Sequence, residues 1–543
     1  MENSPQSHRD NTLSHLRTEG FDLLIIGGGI TGGGIALDAA LRGLKTALIE
    51  KNDFAYGTSS RSTKLIHGGL RYLKQLEFGL VREVGSERAV VHRLAPHLVV
   101  PEKMLLPLYE KRGFGSLLTS FGLKLYDWLA GVRPEDQRKM LTRQQTLAQE
   151  PLLRREDVKG GALYAEYRTD DARLTIEIIK TAAIRGATVI NYCQVLNFLY
   201  ERGKITGVRV RNRIDGNEFE IKATRIVSAA GPWVDELREI DHSKNGKRLH
   251  LTKGVHLVVA HEKLPIQQAI YFDVEDGRMI FAIPRGRITY IGTTDTNYTG
   301  NIDDVTTLKG DADYLIKAVN RTFPDVKLVL SDVESSWAGL RPLIHEEGKS
   351  ASELSRKDEI FESPTGLISI AGGKLTGYRK MAERVVDLVI ERAFDQRDLN
   401  PCTTDKTPLM SPGFKNYDEV RSYIVSVAGR IRDKNLPEGY SEYLVENYGH
   451  QTELILNSMN PGEAEMELAR AELQFTLKYE RVAKPLDFFV RRTGMLYFYR
   501  FRIDKVKDVV LAEFRDHFHW SVERSEKEKE DLETAIRSVT KFD

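Results

Sequence analysis

The chain has 543 residues, of which 79 are Lys or Arg and 78 are Asp or Glu, so its formal net charge is +1. This balance argues against bulk nucleic-acid binding, and no stretch reaches the ~20 consecutive apolar residues that a membrane-spanning helix needs. The two cysteines, Cys193 and Cys402, lie far apart and form no metal-ligand or redox spacing. We therefore expect a cytoplasmic protein without a metal site.

The first fifty residues predict a leader followed by a compact α/β unit. Residues 1–20 are polar and lack the apolar core of a signal peptide, which predicts a disordered leader. Residues 21–51 predict a buried strand, a glycine turn, a helix rich in small residues and a second strand that ends at Glu50. Helical patterns follow at 85–94 and 172–186.

Two β-rich regions come next. Residues 187–231 contain short β-rich runs that are broken at glycines, a pattern typical of hairpins. Residues 247–296 predict an antiparallel sheet that forms one wall of a substrate domain. The chain returns to the first domain at 366–390 with a strand, a glycine turn and a helix. Beyond about residue 400, helical periodicity dominates.

The first glycine turn has the spacing of a dinucleotide fingerprint. Gly27-x-Gly29-x-x-Gly32 follows a strand and opens a helix, where glycines let the backbone approach a pyrophosphate at the positive end of the helix. Glu50 lies close to the ~20 residues beyond the last glycine that are expected for a ribose partner. The motif alone leaves NAD and FAD open, and the sequence holds no second fingerprint, so we expect one dinucleotide.

Several stretches resemble the aerobic, FAD-dependent glycerol-3-phosphate dehydrogenases, which belong to the D-amino-acid-oxidase-like flavoproteins. The matching stretches are DLLIIGGGITGGGIALDAALRG, GTSSRSTKLIHGGLRYL, RIVSAAGPWVD, IGTTDT, WAGLRPL, GGKLTGYRKMAE and, in the helical tail, KPLDFFVRRTGMLYFY. The implied cofactor is FAD. The predicted fold is α/β, with a Rossmann-like FAD-binding domain (21–85, 187–235, 366–395), an antiparallel-sheet substrate domain (86–186, 236–365) and an all-helical C-terminal domain (400–543).

The resemblance also implies the residues that contact FAD. Turn capping is the alternative for the hydroxyls among them, and a plain core position is the alternative for Val195. The turn at 372–376 would meet the flavin pyrimidine, where the positive end of a helix stabilises reduced flavin. The implied FAD contacts are Gly27, Gly29, Ile30, Thr31, Gly32, Glu50, Lys51, Ser59, Ser60, Thr63, Gly68, Gly69, Val195, Ala229, Ala230, Gly231, Trp233, Gly372, Gly373, Lys374, Leu375 and Thr376.

The implied substrate, glycerol 3-phosphate, is close to a dianion and therefore requires cations. Guanidinium groups suit phosphate because their planar fork donates two parallel hydrogen bonds. For each cation, a weak surface salt bridge is the alternative to phosphate binding. For Arg356 the sequence favours these two roles almost equally. The implied substrate contacts are Arg71, Tyr72, Thr293, Arg341, Arg356, Lys374 and Thr376, with Thr294 and Asp295 beside them.

The implied chemistry is hydride transfer from substrate C2 to flavin N5, carried by His67, Arg341 and Lys374. His67 is the natural base for the C2 hydroxyl proton near neutral pH. A structural role, or hydrogen bonding to the flavin, is an equally weighted alternative for His67. Arg341 would instead hold the developing alkoxide, since its high pKa makes it a poor base.

The electron acceptor divides the family into quinone-linked dehydrogenases and oxygen-using oxidases, and we expect the first. Segment 114–132 is amphipathic with basic flanks, so it either rests on anionic lipid at the inner face of the cytoplasmic membrane or packs on the protein itself. The remaining alternatives are an amine or amino-acid oxidase and a flavin-binding sensor or scaffold. The sequence favours glycerol 3-phosphate and a quinone as partners, allows a homodimer, and excludes nucleic acid.

Overall fold

The computed structural model describes residues 5–68, 78–110, 138–345, 358–410 and 412–542. In chain order its strands are β1 (Gly20–Ile26), β2 (Thr46–Ile49), β3 (Leu65–Ile66), β4 (Val99–Tyr109), β5 (Lys139–Thr142), β6 (Val158–Thr169), β7 (Thr188–Ile190), β8 (Cys193–Glu201), β9 (Lys204–Asn212), β10 (Glu218–Ser228), β11 (Leu249–Ala260), β12 (Ala269–Asp273), β13 (Met279–Arg285), β14 (Ile288–Gly292), β15 (Thr296–Asn297), β16 (Val333–Ile344), β17 (Asp358–Glu362) and β18 (Leu367–Gly372).

Its α-helices surround the strands and then form the C-terminal region. They are α1 (Pro5–Thr18), α2 (Ile30–Arg42), α3 (Phe78–Leu94), α4 (Arg143–Gln149), α5 (Asp171–Ile184), α6 (Val234–Ile240), α7 (Lys309–Thr322), α8 (Tyr378–Ala393), α9 (Tyr417–Asp433), α10 (Tyr440–Tyr448), α11 (Thr452–Ser458), α12 (Ala464–Tyr479), α13 (Met495–Phe498), α14 (Arg500–Phe518) and α15 (Val522–Thr540). A π-helix, Asp487–Arg492, lies between α12 and α13.

The first sheet confirms the predicted nucleotide-binding unit. Strands β18, β10, β1, β2 and β7 lie side by side in parallel, and β17 adds an antiparallel edge. The middle of β1 is fully buried, as a central parallel strand requires. Helices α2, α5 and α8 contribute to the apolar core beside this sheet. The hairpins predicted in 187–231 are present, because β8, β9 and β10 pair antiparallel in sequence.

The second sheet confirms the antiparallel sheet that the sequence predicted in residues 247–296. Strands β11 to β14 and β16 form an antiparallel group, and β4 and β6 extend it through a parallel β4–β12 contact. Helix α7 shares one apolar core with this sheet. The C-terminal helices, which the sequence also predicted, share another apolar core with it. None of the described helices is long and apolar enough to cross a membrane.

The expectation of a disordered leader is wrong for residues 5–18, which form α1. Leu13 and Leu16 of this helix are buried in a core with β1, β8 and β9. The Arg9 guanidinium donates to the Asn191 side chain and backbone at 3.0 and 2.9 Å and to the Asn212 side chain at 3.0 Å. Two buried leucines and Arg9 hold this helix on a surface that other strands form, and the polar sequence of the leader does not reveal that surface.

Three predicted domain boundaries also differ from the structure. Helix α5, assigned to the substrate domain, packs in the core of the first sheet. Strand β17 was also assigned to the substrate domain, but it pairs with β18 of the first sheet. Strand β3 was assigned to the FAD-binding domain, but it pairs with β6 of the second sheet. Amphipathic patterns show which side of an element is buried but do not show which sheet buries it.

The docking of α1 can be tested with Leu16→Ala. We expect this substitution to lower the free energy of unfolding by about 2–5 kcal/mol, the usual range for emptying a buried leucine site. Thermal and denaturant melts would measure the loss. Ser14→Ala, on the exposed side of the same helix, is the matched control, and equal melts for both variants would mean that α1 does not pack.

Candidate active site

Among the described residues, a cavity lies where the carboxyl ends of β1, β10 and β18 face the second sheet. This is the usual place for ligands in open α/β sheets. It brings together twenty of the residues that the sequence singled out. They are Gly27, Gly29, Ile30, Thr31, Glu50, Lys51, Ser59, Thr63, His67, Val195, Ala229, Ala230, Gly231, Trp233, Arg341, Gly372, Gly373, Lys374, Leu375 and Thr376.

Residues of the first glycine turn line the cavity, and Gly27 packs closely against the end of β10. Gly27 has φ +118°, and a Cβ on it would lie 2.5 Å from the Ala229 carbonyl oxygen. Ser59 Oγ accepts a hydrogen bond from the Ile30 N–H at 3.0 Å, at the start of α2. A glycine turn that lines a cavity at a helix N-terminus fits a pyrophosphate.

Glu50 is held by backbone groups beside this turn. Its carboxylate accepts the Gly28 N–H and the Asn52 N–H, both at 2.8 Å. Burial raises the pKa of Glu50, and these two hydrogen bonds oppose the rise. The carboxylate lines the cavity at the place where a ribose hydroxyl would follow the pyrophosphate.

A second glycine turn closes another part of the cavity. Gly372 and Gly373 have φ +78° and +81°, and the short helix Leu375–Gly377 follows them. The Thr376 hydroxyl accepts the His67 N–H and donates to the His67 carbonyl oxygen, each at 3.2 Å. Thr376 therefore holds the backbone of His67, and the His67 ring lies edge-on to Phe281 with centroids 6.1 Å apart.

The Arg341 guanidinium is positioned by the loop that follows β14. Its Nη2 donates to Thr293 Oγ1 at 2.8 Å, and its Nη1 donates to the Thr294 carbonyl at 3.1 Å and to the Asp295 carboxylate at 3.2 Å. Gly254 supplies the space, because a Cβ there would lie 2.3 Å from Arg341 Nη2. The arrangement presents a fixed cation to the cavity.

His256 is a cavity residue that the sequence reasoning missed. Its ring stacks on Trp337 with centroids 4.8 Å apart, and Nε2 lies 3.0 Å from Thr63 Oγ1. Burial, followed by the charges of Arg341 and Lys64, places the pKa of His256 well below its usual value. In the sequence His256 lies within the apolar run of β11, which hid it as a plain strand residue.

One carboxylate from the second domain links two residues that line the cavity. Asp303 Oδ1 accepts from Lys51 Nζ and from Trp233 Nε1, both at 2.9 Å. Lys51 Nζ also lies 4.5 Å above the Trp233 ring centroid. This contact explains how two implied cofactor residues come to share one edge of the cavity.

Six predicted site residues in the described part of the chain do not line the cavity: Gly32, Ser60, Gly68, Thr293, Thr294 and Asp295. A Cβ on Gly32 would lie 1.9 Å from the Gly27 carbonyl oxygen, so this glycine shapes the turn itself. Ser60 is buried and its carbonyl accepts from Lys64. Thr293 does not reach the cavity itself, but its hydroxyl accepts a hydrogen bond from Arg341, which does. Gly69, Arg71, Tyr72, Arg356 and segment 114–132 lie outside the described residues.

The sequence reasoning also missed several other lining residues. Most of them lie next to the recognised motifs, so their positions beside those motifs could have identified them as lining residues. No motif marks Gly254 or Glu236. The additional lining residues include Tyr56, Gly57, Thr58, Arg61, Ser62, Gln194, Glu236, Gly254, Gly339 and Pro342. Within the described ranges no group of His, Cys, Asp and Glu side chains could hold a metal ion.

Two family models match this chain. Residues 22–379 match the model described as FAD dependent oxidoreductase, and residues 402–525 match the C-terminal domain of alpha-glycerophosphate oxidase. The first match covers both sheets, and the second covers most of the helical C-terminal region.

Individual proteins are similar over nearly the whole chain. The aerobic glycerol-3-phosphate dehydrogenase of Bacillus subtilis is 48% identical over 98% of this chain and 97% of its own length. The structure of the Bacillus halodurans glycerol-3-phosphate dehydrogenase complexed with FAD is 43% identical, with a TM-score of 0.84 over 99% of this chain and 98% of that one. The L-alpha-glycerophosphate oxidase of Mycoplasma pneumoniae, 19% identical with a TM-score of 0.55 over 68% of this chain and 95% of that one, shares the fold.

The role of the glycine turn can be tested with Gly32→Ala. Its methyl group would collide with the Gly27 carbonyl and displace the turn, so we expect about a tenfold or greater loss of affinity for FAD, as overpacking costs of this kind imply. Flavin retained through purification and equilibrium titration would measure it. Gly20→Ala, whose Cβ meets nothing within 4 Å, is the control, and equal affinity in the two variants would contradict the assignment.

Proposed function

Because this chain belongs to the FAD dependent oxidoreductase family, whose model matches residues 22–379, we propose that it is an FAD-dependent dehydrogenase that oxidises glycerol 3-phosphate to dihydroxyacetone phosphate. Its relatives with this printed activity match nearly the full chain. FAD supplies the hydride acceptor for the reaction when it is bound.

The observation that carries the proposal is one cavity that combines a dinucleotide cradle with fixed cations. The first glycine turn and Glu50 form the cradle, and Arg341 and Lys374 line the same cavity from other segments. Two cations from separate segments match the two charges of a phosphate dianion. The nearly full-length relatives named glycerol-3-phosphate dehydrogenases favour this substrate over an amine or amino acid.

His67 is the proposed acceptor of the C2 hydroxyl proton. Two imidazoles line the cavity, and His256 is engaged by Thr63 and stacked on Trp337 as part of its wall. Thr376 anchors the backbone of His67, and the His67 ring lies edge-on to Phe281 of the second sheet. Arg341 would hold the substrate oxygens while the proton leaves.

We propose a quinone as the electron acceptor. The relatives that match nearly the full chain are named dehydrogenases, which supports an electron acceptor other than oxygen. Contact with a membrane surface would bring the enzyme to that quinone. The membrane contact and a homodimer stay predictions from the sequence.

Anaerobic mixing of the purified holoenzyme with glycerol 3-phosphate tests the proposed activity directly. The flavin absorbance near its visible maximum should bleach within the mixing experiment, and dihydroxyacetone phosphate should form in equal amount. Flavin that stays oxidised with glycerol 3-phosphate, or that bleaches with an amino acid instead, would refute the proposal.

The role of Arg341 can be tested with Arg341→Ala. Loss of hydrogen bonds from a charged donor costs about 1.5–3 kcal/mol, so the Kd for glycerol 3-phosphate should rise roughly ten- to a hundredfold. Binding of glycerol, which has no phosphate, should change far less. Arg287→Ala, an exposed arginine paired with Glu334, is the matched control, and equal losses for both ligands would contradict a phosphate role.

The acceptor can be tested by reoxidising the substrate-reduced enzyme. A soluble quinone analogue added without oxygen should restore the oxidised flavin spectrum rapidly, because the proposed acceptor takes both electrons. Air without a quinone should restore it more slowly and with little peroxide. Rapid reoxidation by oxygen with stoichiometric peroxide would assign the enzyme to the oxidases.

A further inference from the structure

The motif DFFVRR in the C-terminal region meets the cofactor side of the first domain. It forms the π-helix, and its Arg491 and Arg492 are 5% and 0% exposed. Both guanidinium groups reach Asp53, more than 430 positions earlier in the chain. Asp53 is itself completely buried.

The Asp53 carboxylate accepts four hydrogen bonds there. Arg492 donates two, at 2.8 and 2.9 Å, in a bidentate pair. Arg491 Nε donates at 2.5 Å and Asn191 Nδ2 at 3.0 Å. Burial alone would raise the pKa of Asp53, but the charges of Arg492 and Arg491 lower it to about 2. Asp53 is therefore ionised and fully paired.

Asp53 belongs to residues 50–55, which we call the cleft wall because its first two residues, Glu50 and Lys51, line the cavity. At one end of the cleft wall, Glu50 accepts the Gly28 N–H, and at the other the Ala55 N–H donates to the Gly28 carbonyl at 2.9 Å. The Phe54 ring packs against the same glycine. The cleft wall is thus bonded to the glycine turn on one side and to the C-terminal arginines on the other.

The π-helix also touches the strand connection behind the cleft wall. Asp487 accepts from the Tyr192 hydroxyl at 2.6 Å and from Arg491 Nη2 at 2.8 Å. The neighbouring backbone N–H of Cys193 donates to the Glu50 carbonyl at 2.7 Å. Two separate routes therefore lead from the π-helix to Glu50.

We propose that Asp53, Arg491 and Arg492 couple FAD binding to the docking of the C-terminal domain, with the two arginines as positioning residues for the cleft wall. The inference rests on the proposed FAD site and not on the identity of the substrate. Coupling between two sites is reciprocal, so bound FAD must stabilise the π-helix contact as much as that contact favours FAD.

Arg492→Lys tests the coupling, since lysine keeps the charge but cannot donate two parallel hydrogen bonds to one carboxylate. We expect the holoenzyme to lose FAD faster on dilution and its Kd for FAD to rise about tenfold, within the range typical of coupled sites. The fluorescence of released FAD would report both. The gain in melting temperature on adding FAD should also shrink.

Arg502→Lys is the matched control. Arg502 is 1% exposed and lies among Tyr440, Tyr443 and Tyr499 of the C-terminal helices. We expect this variant to melt at a lower temperature with and without FAD, while its Kd for FAD stays at the wild-type value. If Arg492→Lys behaves in the same way, the cluster is only a domain contact and the inference is wrong.

The wild-type protein provides a measurement that does not depend on any variant folding. Amide hydrogen exchange over residues 483–493 should slow when FAD-stripped protein is reloaded with FAD, whereas exchange over 522–540, in α15, should change little. Equal exchange at 483–493 in the two states would overturn the coupling. Failure of the wild-type protein to bind FAD at all would instead overturn the proposed function.

Discussion

A carboxylate without access to water must be neutralised where it lies, and Asp53 is neutralised by two arginines from the far end of the chain. Removing one partner of such a buried group typically costs about 3–5 kcal/mol, because the remaining charge stays uncompensated. Since Asp53 sits in the cleft wall, this requirement fixes the C-terminal helices against the cofactor side. The ion pairs of Asp53 therefore join the nucleotide-binding domain to the C-terminal helices.

The part of the cavity around Arg341 and His256 depends on close packing around small residues. Gly254 leaves room for the Arg341 guanidinium, and a Cβ on Gly292 would lie 2.0 Å from the His256 ring. The backbone of β11 and β14 therefore approaches the functional side chains more closely than any larger residue permits. Fixed donors of this kind lose little freedom when a ligand arrives, which favours tight orientation of the substrate.

Much of the fold and of the candidate site could be predicted from local pattern. The strand–turn–helix around Gly27 and the second glycine turn at Gly372 are encoded by neighbours in sequence, and both open onto the cavity. His256 could not be predicted, because its role arises from Thr63 and Trp337, which are distant in the chain. The docking of α1 escaped prediction for the same reason, since its buried leucines meet a surface made by other strands.

The sequence by itself determined the dinucleotide turn, the alternation of the second sheet, the helical C-terminal region and the family resemblance. The first three features rest on short-range rules of backbone conformation and hydrophobic period, whereas the resemblance rests on matching motifs. Only the tertiary structure decided which sheet receives α5, how Arg341 is aimed and that Arg491 and Arg492 reach Asp53. Burial and charge pairing join residues that are remote in the chain, and no local pattern carries that information.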